Sequence, residues 1–161
     1  MAEKLPVTPD LLVELELIKR CKYAYLRLVD QHRFDELHTV MTNDCTASYS
    51  DGDYSFDDLA GIVAFLHENM GRPEFLSSHA CHHPEIDVFD DDTATGTWKL
   101  EDQVLITDFG VNIRGAAFYE DRYVKTVDGW KLDHTGYTRT FEEMHPRSSI
   151  DGVHLKAGDF S

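Results

Sequence analysis

Residues 77–102 read SSHACHHPEIDVFDDDTATGTWKLED, and the reading of this stretch decides the fold. Two runs suited to extended chain flank three consecutive aspartates, Asp90 to Asp92, which mark a solvated turn. Beyond the turn, Trp98, Leu100, Asp102, Val104 and Ile106 share one parity, because strand side chains alternate with period two. All but Asp102 are apolar, so this face points inward. A carboxylate among them costs free energy unless it is paired or protonated. On the run before the turn, parity counted from Ile86 and Val88 places His82 inward. An inward histidine and an inward aspartate on adjacent strands are the core of the candidate site.

The same count sends His79, Cys81 and His83 to the opposite face. Together with His82 they are metal-ligating types, but the alternation splits them, so no metal site is predicted. A bulge near Pro84 would bring His79 inward, which makes His79 the reserve candidate and a substrate-binding residue in this reading. His82 itself has a plainer alternative, a buried structural histidine.

Upstream of this stretch the pattern is helical. Thr8 is a candidate N-cap, with Pro9 at the first helical position and Asp10 near the positive end of the helix dipole. Leu11, Leu15, Ile18, Cys21, Tyr25 and Val29 form one face. Tyr25 sits centrally in that stripe, as a packed core tyrosine or as a donor into a cavity. Asp30 lies about 120° from the stripe on an ideal helix, at its rim or end. Lys19, Arg20, Lys22 and Arg27 read as a solvated face. A short helix is expected over Phe34–Met41, a break at Thr42–Asp44 and a strand over Thr46–Tyr49. The Asp51-Gly52 pair then makes a hairpin turn, and Ser55 with Asp58 gives a capping box for a helix closed by Gly71 and Pro73.

Downstream, strands are expected over 112–126 and 130–141, with the turn at Val127-Asp128-Gly129 between them. Tyr137 and Arg139 have the parity opposite to Trp130 and Leu132, and a bulge near Gly136, where the change falls, would swap which side chains point in. Helices first and long strands after is an α+β order. The expected fold is a cone-shaped, curved antiparallel sheet wrapped around N-terminal helices, an α+β barrel enclosing an apolar pocket. Residues 1–8 are expected to be a flexible N-terminus, 9–143 the barrel domain and 144–161 a polar C-terminal tail.

The chain has 161 residues and a formal net charge of −15, enough length for one domain. That charge repels phosphate backbones and anionic lipid, so neither nucleic acid nor a membrane surface is expected as a partner. An anionic small molecule would need a local basic group. No run approaches the ~18 apolar residues of a membrane span, and no secretory leader is read at the N-terminus. The cysteines Cys21, Cys45 and Cys81 are an odd, sparse set that suits free thiols in a reducing cytoplasm.

Several segments, taken together, carry a family resemblance. They are Tyr25…Asp30…Phe34-Asp35-Glu36-Leu37, Ser48-Tyr49-Ser50, His82-His83-Pro84-Glu85-Ile86, Thr93 to Trp98, Leu100-Glu101-Asp102, Gly115 to Tyr119 and Gly136-Tyr137-Thr138-Arg139. In number and order they resemble the SnoaL-like and scytalone-dehydratase-like group of cone-shaped barrels, and within it the bile acid 7α-dehydratases. The resemblance implies catalytic roles for Tyr25, Asp30, His82, Asp102 and Arg139. It also implies a homotrimer or dimer formed through the outer sheet face. The loop Asp108-Phe109-Gly110-Val111 reads as shorter than in those enzymes.

Loss of water next to an enone needs a base for an acidified C–H, a donor to the carbonyl and a proton for the departing hydroxyl. His82 with an acid such as Asp30 would supply the base, Tyr25 the donor, and Asp102 or the histidine the last proton. Arg139 would hold Asp102 or a substrate carboxyl. Tyr49, Tyr119 and Tyr137 would line a steroid-sized pocket for a hydrophobic substrate, offered as free acid or coenzyme A ester. No metal or redox cofactor is required by such chemistry. A ligand-binding module without catalysis, and an isomerase, cyclase or epoxide hydrolase, are the other function classes the same fold carries.

Overall fold

The structure is a computed structural model and describes residues 2–158. Helix α1 spans Pro9–Asp30, and Thr8 caps it, its hydroxyl accepting from the Leu11 amide at 3.2 Å. A 3-10 turn at Phe34–Thr39 leads into β1, Met41–Tyr49. The hairpin partner β2 is Tyr54–Phe56, followed by helix α2, Leu59–Met70. Four long strands complete the fold: β3 Phe75–Val88, β4 Thr93–Ile106, β5 Val111–Thr126 and β6 Gly129–Pro146. The sheet runs β2-β1-β6-β5-β4-β3, antiparallel except where β1 lies parallel to β6. Curvature of this sheet around α1 gives the expected α+β cone. Among the described residues no helix is long and apolar enough to cross a membrane.

The core fills the concave side, with Ile18, Phe34, Leu37, Met41, Ile62, Trp98, Leu100 and Leu132 almost fully buried. The β4 face read from the sequence is inward as expected: Trp98, Leu100, Asp102 and Val104 are all buried.

Three local expectations are corrected. The cap of α2 is Asp58, whose carboxylate accepts from Gly61 N–H at 2.7 Å, while Ser55 lies within β2. Strand β1 begins earlier, at Met41, and the Thr42–Asp44 break is an irregularity in its pairing with β6. The parity change in β6 comes at Asp133, the extra residue between Leu132, opposite Tyr123, and His134, opposite Arg122. Gly136 has a different task. A Cβ there would stand 2.7 Å from the Ser48 carbonyl oxygen, so its bareness permits the close parallel approach of β1.

At the ends, Lys4 bridges Phe89, tying part of the N-terminal segment to the sheet, and β6 continues to Pro146. Met1 and residues 159–161 of the two terminal segments lie outside the described residues.

Candidate active site

The decisive irregularity is in β3. Between His82, opposite Lys99, and Glu85, opposite Thr97, the strand holds one residue more than β4, and His83 adopts φ +49°. This β-bulge inverts the parity of everything before it. Ile86 and Val88 point inward after the bulge; Phe75, Ser77, His79 and Cys81 point inward before it. His82 is therefore exposed on the outer face beside Lys99, and the inward placement expected of it is corrected. His79 is the histidine that faces inward.

Register then assembles the site in one row across three strands. His79 of β3 lies opposite Asp102 of β4, which lies opposite Gly115 of β5. A Cβ at Gly115 would come within 2.7 Å of Arg139 Nη1 and 2.9 Å of the Phe141 carbonyl oxygen. The missing side chain is what lets Arg139 of β6 reach over β5 to Asp102. The pair is bidentate, at 2.5 and 3.0 Å, and Glu142 adds a third carboxylate oxygen at 3.2 Å. Burial draws the Arg139 pKa down, but the Asp102 hydrogen bonds and charge outweigh it and raise the value. Asp102 thus escapes the cost of an apolar face by pairing.

Asp30 ends α1 and turns toward β3. Its Oδ1 accepts from His79 Nδ1 at 2.6 Å and from Ser77 Oγ at 2.7 Å, and its Oδ2 accepts from His79 N–H at 2.9 Å. Burial alone would push the Asp30 carboxyl up; the His79 ring, the His79 amide and the Ser77 hydroxyl together outweigh it and hold it below the ordinary range. With Nδ1 committed to Asp30, Nε2 is the ring nitrogen left for a ligand.

The cavity that His79 lines holds about 420 Å³, within the usual range for a drug-sized ligand. Tyr25, Tyr49, Tyr119 and Tyr137 line it on the side of α1, β1, β5 and β6. Apolar walls come from Phe65, Met70, Phe75, Val104, Ile106 and Ile113, and the mouth carries Arg72 and Phe109. Tyr25 and Tyr49 share a hydrogen bond of 3.0 Å, so only one of their two protons is used between them and the other is free to donate. Burial, first among several causes, holds the hydroxyls of Tyr25, Tyr49 and Tyr119 well above the ordinary phenol value, so they stay protonated donors. Tyr137 meets Ser50 Oγ at 3.0 Å and packs edge-on against Tyr119.

Eight of the nine sequence-derived site residues thus meet at one place, His82 being the exception. Four participants were not foreseen. Ser77 shares the parity of His79 once the bulge is placed. Gly115 stands within the Gly-Ala-Ala motif. Arg72 lies in the turn after α2. Lys22, read as solvated, is fully buried and pairs with Asp121 at 2.8 Å. Its ammonium lies 3.4 Å from the Tyr119 ring centroid, behind the cavity wall. The signal was present in its spacing, since Ile18, Lys22, Tyr25 and Val29 fall on one helical stripe.

The fold is shared with solved structures of low sequence identity. A protein assigned as a scytalone dehydratase, from Novosphingobium aromaticivorans, superposes with a TM-score of 0.77 at 21% identity over 95% of this chain and 96% of its own. The hexachlorocyclohexane dehydrochlorinase LinA-type3 from Novosphingobium barchaimii gives 0.74 at 17% identity, over 92% and 98%. The Kfla4162 protein from Kribbella flavida gives 0.68 at 24% identity, over 81% and 90%. The family model of the SnoaL-like domain matches residues 12–136, through the helix, hairpin and strands that build the cavity, and the chain belongs to the SnoaL-like domain family.

Proposed function

We propose that the protein is a cofactor-independent lyase that eliminates water from a hydroxylated, apolar ring substrate. One observation carries this reading: a histidine clamped through Nδ1 by Asp30 lines an apolar cavity together with four tyrosines. Nε2 takes the proton from a C–H made acidic by a nearby carbonyl, and Asp30 steadies the imidazolium that forms. The C–H electron pair moves toward the carbonyl oxygen, where the spare proton of the Tyr25–Tyr49 pair donates a hydrogen bond. The C–O bond then breaks, and the proton held on His79 leaves with the hydroxyl as water. Asp102, bound by two nitrogens of Arg139, serves this scheme as an orienting anion rather than a proton donor.

Two of the structural neighbours bear names that speak of elimination, a dehydratase and a dehydrochlorinase. Within that class we favour a 3-oxo-Δ4 steroid acid with a 7α-hydroxyl, as free acid or coenzyme A ester, on the motifs that resemble the bile acid 7α-dehydratases. The test is an ultraviolet assay of such a substrate, since loss of water extends the conjugation and red-shifts the absorbance. The expected result is a shift with wild type and His82→Ala and none with His79→Gln. Activity that survives in His79→Gln, or no shift with either form of the substrate, overturns it. Saturable binding without turnover would point to a ligand-binding module instead.

A further inference from the structure

We infer that Arg72 is an anion anchor, and that the substrate is an elongated apolar molecule ending in a carboxylate. This rests on the elimination reading for where the reacting carbon lies, but its own evidence is at the other end of the cavity. The cavity follows β3 and β4 from the row of His79 and Asp102 to the row of Phe75 and Ile106. Four residues of extended strand separate those rows, about 13 Å at a rise of ~3.3 Å per residue. Arg72 stands beyond Phe75, at the mouth.

Among the described residues, two cations line this cavity, Arg139 and Arg72. Arg139 commits both terminal nitrogens to the carboxylates of Asp102 and Glu142, and its Nε alone has no partner among the described residues. Arg72 has no such bidentate partner. Its Nε is buried and lies 3.3 Å from Asp108 Oδ2 without aligning to donate, and its Nη1 makes a 3.5 Å contact with the Asn69 carbonyl. The guanidinium rests over Phe109, 5.0 Å from the ring centroid, and 5.9 Å from that of Phe75, which fixes the plane while leaving donors free. A planar fork with unused donors at an apolar mouth matches a carboxylate. In a chain of net charge −15, such a local cation is what an anionic ligand requires. Asp108 is the internal competitor, and a bound carboxylate takes over its side of the fork.

The experiment is direct binding, by calorimetry, of a 3-oxo-Δ4 steroid acid and of dodecanoate, each against its uncharged methyl ester. Wild type should prefer the acid by about tenfold or more, the range for a hydrogen bond to a charged group. Arg72→Met should lose that preference, Arg72→Lys should keep part of it, and Asp108→Asn should strengthen it. Equal binding of acid and ester, a preference that survives in Arg72→Met, or no binding of either acid up to its solubility limit overturns the inference. Elimination that depends on His79 but shows no acid preference leaves the lyase reading standing and sinks this one. An Arg72-dependent preference without turnover does the reverse.

Discussion

Of the ionisable side chains that helix α1 sends toward the sheet, Lys22 and Asp30, about two turns apart, meet opposite fates. Lys22 pairs with Asp121 in complete burial. Asp121 is fully engaged there: Thr135 Oγ1 donates at 2.8 Å and Tyr123 OH at 2.7 Å, and Tyr123 in turn accepts from Trp98 Nε1 at 3.1 Å. Asp30 pairs with His79 at a place where the side chains keep 23% and 14% of their exposure, and among the described residues one ring nitrogen has no partner. Both are charge pairs between α1 and the sheet. The difference teaches that saturation, more than the residue types, separates a structural pair from a reactive one. The carboxylate of the first is answered on both oxygens and its ammonium is closed in by Asp121 and the Tyr119 ring; the second holds a histidine that lines the cavity.

This contrast can be broken experimentally, and the largest effect belongs to the open pair. His79→Gln should lower kcat by about a hundredfold to ten-thousandfold, the usual contribution of general acid–base catalysis, and leave the denaturant midpoint nearly unchanged. A fall in stability with little loss of rate would make His79 a structural residue like Lys22. Lys22→Met should do the opposite, costing about 3–5 kcal/mol of stability in denaturant unfolding by leaving Asp121 buried without its cation. Adding Asp121→Asn should recover part of that loss; if it deepens the loss, the two residues do not act as a pair.

A third, smaller effect sharpens the geometry. Gly115→Ala should cost about 1–3 kcal/mol through overpacking, because the new methyl meets both Arg139 and a backbone carbonyl. Turnover should fall with it as Arg139 is displaced, and a crystal structure with the Asp102–Arg139 pair intact would contradict this account.

The smallest effect concerns pH. Asp30 has a folded-state pKa below its unfolded value of about 3.9. Its contribution to stability is therefore present above that value and is lost as pH falls through the folded pKa. The stability difference between wild type and Asp30→Asn should shrink as pH drops below ~4. A difference that grows on acidification would reverse the sign argued here.

Much of the fold was legible because its signals are local. The Thr8-Pro9 cap, the Asp51-Gly52 hairpin and the alternation from Trp98 to Ile106 each need only a few neighbouring residues, and each holds in the structure. Pairing is less legible. Asp102 announced itself as a carboxylate on an apolar face, but its partner lies 37 residues away across a glycine. The histidine was the least legible, since periodicity carries no information across a bulge: Ile86 and Val88 give the correct phase for their half of β3 and the wrong one for His79. The His83-Pro84 step was the available clue, since proline cannot donate to the ladder. Lys22 was missed for another reason. A lysine on an apolar stripe reads as solvated until the aspartate that neutralises it, on a strand almost a hundred positions later, is brought beside it.

The bulge at His83 also has a consequence for how this chain can change. It divides β3 into two segments that are out of phase, one committed to the core through Ile86 and Val88, the other aiming Ser77, His79 and Cys81 at the helix and cavity. Loss of a single codon at the bulge itself would leave one residue on each strand between the pairs Glu85–Thr97 and His82–Lys99, so the ladder would close and His79 would stay opposite Asp102. Loss of a codon between His79 and a bulge that is kept would instead slide the segment before it by one position and turn His79 outward. The extra residue is thus a buffer: the strand tolerates a miscount there and nowhere else along that edge of the cavity.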